Sequence, residues 1–320
     1  SKVFSKNLMK KYGIPTAAYE VFEDAESALE YVKRCPVPTV IKADGLALGK
    51  GVIIATDRNE AADAVNSIMK DGKFGKSGSR IVIEEFLTGP EVSVLAFTDG
   101  RCVKPMVSSM DHKRAEDNDR GLNTGGMGTV APNPYYTDDV AKLCMDTIFI
   151  PTIEAMNKEG RTFKGCLYFG LMITESGPKV IEYNCRFGAP ETQVVLPLLE
   201  SDLLTVMQAT TNGTLSECEV KFANKGACCV IMASGGYPEK YESGFEIRID
   251  ESVADSVYFA GAKLDGEKLL TAGGRVLGVV AVENSLSDAV KSAYKKVEKI
   301  DFEKSFYRHD IGARALKALQ

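Results

Sequence analysis

Nothing in this sequence approaches the ~20 consecutive apolar residues of a membrane-spanning helix, and no charged stretch followed by an apolar segment opens it. Lys/Arg runs are missing too. The formal net charge is -5, so there is no basic footprint for nucleic acid. Small molecules are therefore the expected partners, with neither nucleic acid nor membrane among them. The eight cysteines include no CxxC pair, and Cys228 and Cys229 stand side by side in an apolar, strand-like run. Without metal-ligand spacing, most of them are expected to be small buried hydrophobes in a reducing compartment, with the cytoplasm as the default address. Histidine is scarce, with two residues in 320, and no internal repeat or low-complexity stretch is visible.

What is present is an ordinary globular composition, 44% apolar and 26% charged, over a length that calls for two or three sub-domains. The chain starts at Ser1 rather than Met and enters a helical pattern at once (Phe4, Leu8, Tyr12), closed by Gly13. A start of this kind is expected of a chain cut at a domain boundary. Residues 1–14 read as a linker helix. From 15 to 87 the pattern predicts a small α+β lobe: a helix capped by Asp24, strands over Thr39–Ala43 and Val52–Ala55, a helix capped by Asn59, and a strand over Arg80–Glu85. Residues 88–216 alternate strands (Val92–Thr98, Arg101–Met110, Gly165–Thr174, Lys179–Asn184) with helices, and Pro151 is expected to kink or break the helix that begins at Asp138. Residues 217–320 are strand-rich until Ser285, which with Asp288 signals a capped helix carrying Leu286, Val290, Ala293 and Val297 on one face.

Four segments carry chemistry. Between the first two strands lies Lys42-Ala-Asp-Gly45-Leu-Ala-Leu-Gly49-Lys50-Gly51-Val52, where glycine amides could cradle phosphate and the lysines neutralise it. It is neither a P-loop nor a dinucleotide fingerprint, and taken alone the pattern also suits a solvated turn. Glu84 and Glu85, followed by Phe86 and Leu87, together with Glu91, offer carboxylates to a base or ribose, or simply form a charged sheet edge. Asp111-His112-Lys113-Arg114 precedes Asn123-Thr124-Gly125-Gly126-Met127-Gly128. The first group suits an anionic substrate and the second a loop that closes over one, although His112 could equally be structural. Last, Glu182 and Asn184 alternate with Ile181 and Tyr183, so the carboxylate and the amide share a strand face suited to Mg²⁺, with Arg186 next to stabilise a transferring phosphoryl group.

In this order and spacing, KADGLALGKGV at 42–52, DHKR at 111–114, NTGGMG at 123–128 and GPKVIEYNCRFG at 177–188 resemble the ATP-grasp ligases, and most closely the glycinamide ribonucleotide synthetases. The resemblance runs from Ser1 to the YRHDIGARAL segment near the end. It implies an α/β (α+β) ATP-grasp fold with a small nucleotide lid lobe over 15–87, a central mixed or antiparallel sheet over 88–216, and a strand-rich carboxyl-terminal domain over 217–320. ATP with Mg²⁺ or Mn²⁺ would be the cofactors, and glycine and 5-phosphoribosylamine the substrates, joined by way of glycyl phosphate in purine synthesis. Lys42, Gly45, Gly49, Lys50 and Gly51 would hold phosphate, and Glu84, Glu85, Phe86, Leu87 and Glu91 the base and ribose. Glu182 and Asn184 would hold metal. Asp111, His112, Lys113, Lys50 and Arg186 would serve catalysis, while Lys113, Arg114, Asn123, Thr124, Gly125, Gly126 and Arg186 would hold substrate. The family carries a further amino-terminal α/β domain, expected to precede Ser1, and the parent protein could be fused to other purine-pathway domains; a monomer is expected. The family usually has Asp where Ala189 stands, and Gly170 lies near the place of a further metal ligand in the wider superfamily.

Overall fold

The computed structural model describes residues 1–46 and 51–320. In chain order the first half comprises α1 (Lys2–Tyr12), β1 (Tyr19–Phe22), α2 (Ala25–Val32), β2 (Thr39–Ala43), β3 (Val52–Ala55), α3 (Arg58–Val65), β4 (Ile81–Glu85), β5 (Glu91–Thr98), β6 (Val103–Pro105), β7 (Met110–Asp111), β8 (Arg114–Glu116), β9 (Arg120–Asn123), β10 (Gly128–Ala131), α4 (Asp138–Cys144) and α5 (Ile150–Lys158). The second half adds β11 (Gly165–Thr174), β12 (Gly177–Asn184), α6 (Thr192–Val195), α7 (Leu203–Asn212), β13 (Gly226–Ser234), β14 (Arg248–Ile249), β15 (Val257–Phe259), β16 (Ala262–Asp265), β17 (Lys268–Thr271), β18 (Arg275–Glu283), α8 (Leu286–Val297), β19 (Ile300–Asp301), β20 (Ser305–Phe306) and α9 (Ala313–Ala318). These form two compact units. One holds residues 1–90, 138–163 and 169–183, and the other 91–137, 164–168 and 184–320.

In the first unit an antiparallel sheet runs β1-β4-β2-β3. Alternation sends Ile41, Ala43, Ile81 and Ile83 into a core closed by Ala28 and Val32 of α2 and Ala61, Ala64 and Val65 of α3. Lys42, Val82 and Glu84 occupy the intervening positions and so face the other way. The cap of α2 is Asp24, as its sequence predicts, whereas α3 is capped by Asp57 and not Asn59: the Asp57 carboxylate accepts from the amides of Asn59 and Glu60. Pro151 does not break the helical run. A π-turn over Met145–Phe149 widens the backbone ladder, and Pro151 falls at the opening of α5, where a missing N–H and a fixed φ are tolerated.

The second unit is organised on a sheet in the order β15-β18-β13-β10-β7, with β20 also pairing β13. β13 is buried along its whole length because both of its faces are covered. Cys228, Val230 and Met232 enter one core with Leu286, Ala289, Val290, Ala293 and Val297 of α8. Ala227, Cys229 and Ile231 enter another with Val194, Val195 and Leu198. The adjacent cysteines thus point to opposite faces. Ser285 caps α8 by accepting from the Asp288 amide, and the four apolar positions expected on its face are buried. The strand expected over Arg101–Met110 is two short ones. β6 pairs β5 and ends at Pro105, which has no N–H to donate, and β7 pairs β10 instead.

Candidate active site

In the first unit the site grows from two lysines on one carboxylate. Lys42 extends from β2 and Lys6 from α1, and both ammonium groups reach Glu84 Oε2, at 2.9 and 3.1 Å. Lys42 also donates to the Ile181 carbonyl, and Lys6 to Thr16 Oγ1 and the Ala17 carbonyl. All three charged groups are buried. Burial pushes the Lys6 ammonium down to about 8, against the pull of Glu84. Lys2, one turn earlier on α1, donates to the carbonyls of Ala43 and Gly45 at 2.7 and 3.1 Å and is also shifted down, chiefly by burial. Three cations therefore surround the end of β2, with Glu84 bonded to two of them.

This geometry revises the reading of Glu84. Its carboxylate is committed to Lys6 and Lys42 inside the fold and is not presented to a base or ribose. Glu85 is exposed; its Oε2 accepts from the Ala18 amide and lies 3.7 Å from Lys179. Phe86 and Leu87 follow it, half-buried, beyond the end of β4. Gly45 donates to the Ser77 carbonyl, and a Cβ there would stand 2.5 Å from Ser77 Oγ, so only glycine lets the loop entrance pack this closely. Gly51 is buried and accepts from the Ala43 amide. Gly49 and Lys50 lie outside the described residues.

β12 presents Glu182 and Asn184 on alternate residues, both half-buried. Tyr183 points to the other side, where its hydroxyl bonds Thr152 Oγ1 and its ring meets Phe169 edge-on. A carboxylate and an amide oxygen from one strand form a hard donor pair. Among the described residues no cluster of three or more His, Cys, Asp or Glu could bind a metal by itself. A two-donor set suits a cation that keeps waters and substrate oxygens in its shell, as Mg²⁺ does. Arg186 is not on this face. The strand ends at Asn184, and Arg186 is exposed beyond it, donating to the Phe187 carbonyl.

In the second unit, β7, β10 and the loop between β9 and β10 bring the DHKR and NTGGMG segments together. Thr124 Oγ1 donates to the Lys113 carbonyl and accepts from the Gly126 amide. Asn123, at the exposed end of β9, pairs in register with Arg114, which donates to the Gly121 carbonyl. Lys113 pairs with Glu91 at 2.9 Å. Asp111 Oδ1 is shut off from solvent without a hydrogen-bond partner. Burial and the neighbouring Glu191 push its carboxyl well above the usual range. Arg275, at the start of β18, closes the arrangement: its Nη1 donates to the carbonyls of Gly125, Gly126 and Ala189. Sequence reading missed Arg275, Glu191, Lys2 and Lys6. Only the lysines left a trace, standing four apart on a helix whose buried positions besides Lys6 are apolar.

His112 is a structural residue. It is buried, with Nδ1 against the Gly128 carbonyl and Nε2 accepting from the Gly312 amide, so backbone groups occupy both ring nitrogens. Burial, aided by Arg308, lowers its pKa to about 4. Between pH 6.5 and 4 the unfolded chain therefore binds the proton that the folded one refuses, and His112 withdraws up to about 3 kcal/mol of stability as pH falls. Asp111 acts in the opposite sense, since its raised carboxyl binds a proton more readily when folded. Urea titrations of wild type and His112→Gln should differ by an amount that shrinks across this window. A difference independent of pH would show that His112 stays charged inside.

The antiparallel lid sheet, the lysine cluster at the end of β2 and the Glu-x-Asn strand define an ATP-grasp ligase. The phosphoribosylglycinamide synthetase ATP-grasp (A) domain matches residues 1–192, and the C domain of the same family matches residues 227–314. The phosphoribosylamine–glycine ligase of Fusobacterium nucleatum is 45% identical over 317 residues, covering 98% of this chain and 74% of that protein. The trifunctional purine biosynthetic protein adenosine-3 of Gallus gallus is 46% identical over 324 residues, 32% of its length. A crystal structure of the Thermotoga maritima phosphoribosylamine–glycine ligase superposes with a TM-score of 0.90 at 38% identity, covering 97% of this chain and 78% of that one. A biotin carboxylase domain from Hydrogenobacter thermophilus shares the fold, with a TM-score of 0.70 at 17% identity over 95% of this chain and 66% of its own. The chain belongs to the phosphoribosylglycinamide synthetase family, the phosphoribosylamine–glycine ligases of purine biosynthesis.

Proposed function

We propose that the chain uses ATP, with Mg²⁺ or Mn²⁺, to activate glycine as glycyl phosphate, which the amine of 5-phosphoribosylamine then attacks to give glycinamide ribonucleotide, ADP and phosphate. One observation carries the nucleotide part: Lys2, Lys6 and Lys42 converge on the end of β2, where Glu84 is the carboxylate that bonds the last two and Glu182 also acts on Lys2. A cluster of three ammonium groups suits polyphosphate. Lys50, Gly45, Gly49 and Gly51 complete the phosphate loop in this reading. Glu85, Phe86, Leu87 and Glu91 line the base and ribose. The divalent cation, held by Glu182 and Asn184, offsets phosphate charge. The protein's own part is positioning: lysines align the phosphates, and Arg186 meets charge on the transferring group. Lys113, Arg114 and Asn123–Gly126 hold the substrate phosphate and close over a labile acyl phosphate. The working protein is a monomer in the cytoplasm, in some relatives joined to other purine-pathway activities.

The test is glycine-dependent ADP release against Mg²⁺ concentration. Glu182→Gln removes the anionic member of the donor pair, and should raise the Mg²⁺ requirement and lower turnover by about 100-fold. An unchanged Mg²⁺ dependence would overturn the assignment of the metal to β12.

A further inference from the structure

The NTGGMG segment sets two glycines in a row between β9 and β10, and the second, Gly126, has φ +110°. A glycine pair samples more backbone states than other dipeptides and loses more entropy when fixed, so one shape of this loop has to be held by bonds. Each amide from 124 to 127 has an acceptor. Three of these acceptors are local: the Lys113 carbonyl for Thr124, Thr124 Oγ1 for Gly126 and the His112 carbonyl for Met127. The fourth is not. The Gly125 amide donates to Tyr237 Oη at 3.0 Å, across 112 residues of sequence. The carbonyls of Gly125 and Gly126 accept from Arg275 Nη1 at 2.6 and 3.2 Å. Among the described residues, Tyr237 and Arg275 supply every hydrogen bond that reaches the two glycines from outside residues 112–128.

Bare backbone seats both side chains. A Cβ on Gly125 would stand 2.8 Å from Arg275 Cζ, so the guanidinium lies directly on the loop. A Cβ on Gly274 would run into the Tyr237 ring. Ser234 braces that turn, donating its hydroxyl to the Gly273 carbonyl and its amide to the Gly274 carbonyl. Tyr237 and Arg275 thus rise from one fixed place at the ends of β13 and β18. The Arg275 nitrogen that holds the loop also donates to the Ala189 carbonyl at 2.9 Å, three residues past Arg186. A charged donor shared among carbonyls belongs to the stronger class of hydrogen bond.

We infer that Arg275 and Tyr237 are positioning residues of the ligase, which fix the NTGGMG loop against the segment that follows Arg186. The inference rests on the proposed substrate-holding role of Asn123–Gly126 and on that of Arg186. Both side chains act through the loop backbone. A loop that shields a labile acyl phosphate excludes water only while its backbone keeps one shape, so a loosened loop lets water compete with the amine.

The experiment compares the 320-residue chain with Tyr237→Phe, which removes one hydroxyl and keeps the ring on Gly274, and Arg275→Met, which removes the donors and keeps an unbranched stem. Without ligand, hydrogen exchange of the 124–127 amides should quicken by about 10-fold in the first and about 100-fold in the second, with exchange in β13 unchanged. With ATP, Mg²⁺, glycine and freshly generated phosphoribosylamine, kcat for glycinamide ribonucleotide should fall by similar factors while KM for ATP stays within about twofold. ADP formed per product should rise above one. Gly125→Ala pushes the guanidinium off the loop, so adding Arg275→Met to it should cost little further turnover. Wild-type exchange in both variants would overturn the proposal, as would faster exchange with unchanged kcat and coupling. Full additivity of Gly125→Ala and Arg275→Met would also end it. A wild type that makes no product faults the proposed reaction instead, and the exchange rates then decide whether the two residues hold the loop. If Arg275→Met fails to fold, Tyr237→Phe decides.

Discussion

Arg308→Ala should cost about 3–5 kcal/mol of folding free energy, the range expected when one member of a buried ionic network is removed. Arg308 is 1% exposed, and every donor of its guanidinium fork that bonds is spent on the protein. Nε and Nη2 clasp the two oxygens of Asp310, and Nη1 donates to Asp119 Oδ1 and the Arg114 carbonyl. Asp310 in turn accepts from the Asn118 amide, while Asp117 accepts from the His309 amide and faces its ring. Asn118 and Asp119 have φ of 60° and 53°, so the tip of the β8–β9 hairpin is held in a left-handed conformation by these bonds. Burial works to raise the Asp310 carboxyl, but the bonds from Arg308 and Asn118 hold it down at about 2. Its contribution is therefore complete above the ordinary carboxylate pKa of about 3.9 and fades as pH falls towards 2. Asp119 is 45% exposed, so most of the loss should come from Asp310 and from the buried guanidinium itself. Urea unfolding checks the total, and hydrogen exchange over 114–123 checks its location. A loss under 1 kcal/mol, or unchanged protection of the hairpin, would show that the network is ornamental.

Local signals carried far in this chain. Asp24 and Ser285 cap the helices their sequence assigns them, because capping is decided within four residues. The alternation that places Glu182 and Asn184 opposite Tyr183 is a property of any strand. What failed to show was either non-local or locally disguised. Asp57 takes the amides of Asn59 and Glu60, so α3 starts before Asn59, which lies inside its first turn. Pro151 signals a break, but the π-turn that accommodates it has no side-chain signature. Glu84 looks like an exposed sheet-edge acid until α1 folds over it with Lys6, a partner far away in sequence. Arg275 follows a glycine pair with nothing to show that its guanidinium ends on the NTGGMG loop. The family resemblance was visible because motifs report chemistry directly, while the groups that hold those motifs in place are set by packing.

Glu84→Gln should be among the most damaging single substitutions, at about 3–5 kcal/mol, because it strands two buried ammonium groups. Glu84 is 4% exposed on its side chain, and Lys6 and Lys42 are 3% and 7% exposed. Solvent can do little to replace the lost carboxylate. Lys6→Met should cost much less than Glu84→Gln. It removes a cation whose burial already outweighs its ion pair, as the lowering to about 8 shows, and Glu84 keeps Lys42. The double variant should then cost well under the sum of the two, since Lys6 is no longer there to be stranded. The pH dependence supplies an independent sign. Lys6 titrates near 8 when folded and near 10.5 when unfolded, so between these values the unfolded chain holds the extra proton. Stability contributed through Lys6 must therefore rise with pH across that window, by up to about 3 kcal/mol, and be lowest below pH 8. In Lys6→Met the rise should vanish. Nucleotide affinity should fall in the same variant, because the cluster at the end of β2 loses a positive charge that Glu84 no longer has to share. Denaturant titrations at pH 7.5 and 10, with nucleotide binding measured at the lower pH, test both statements. Equal stability gains with pH in wild type and Lys6→Met would mean that Lys6 reaches water and that the shared carboxylate is not the keystone of this unit.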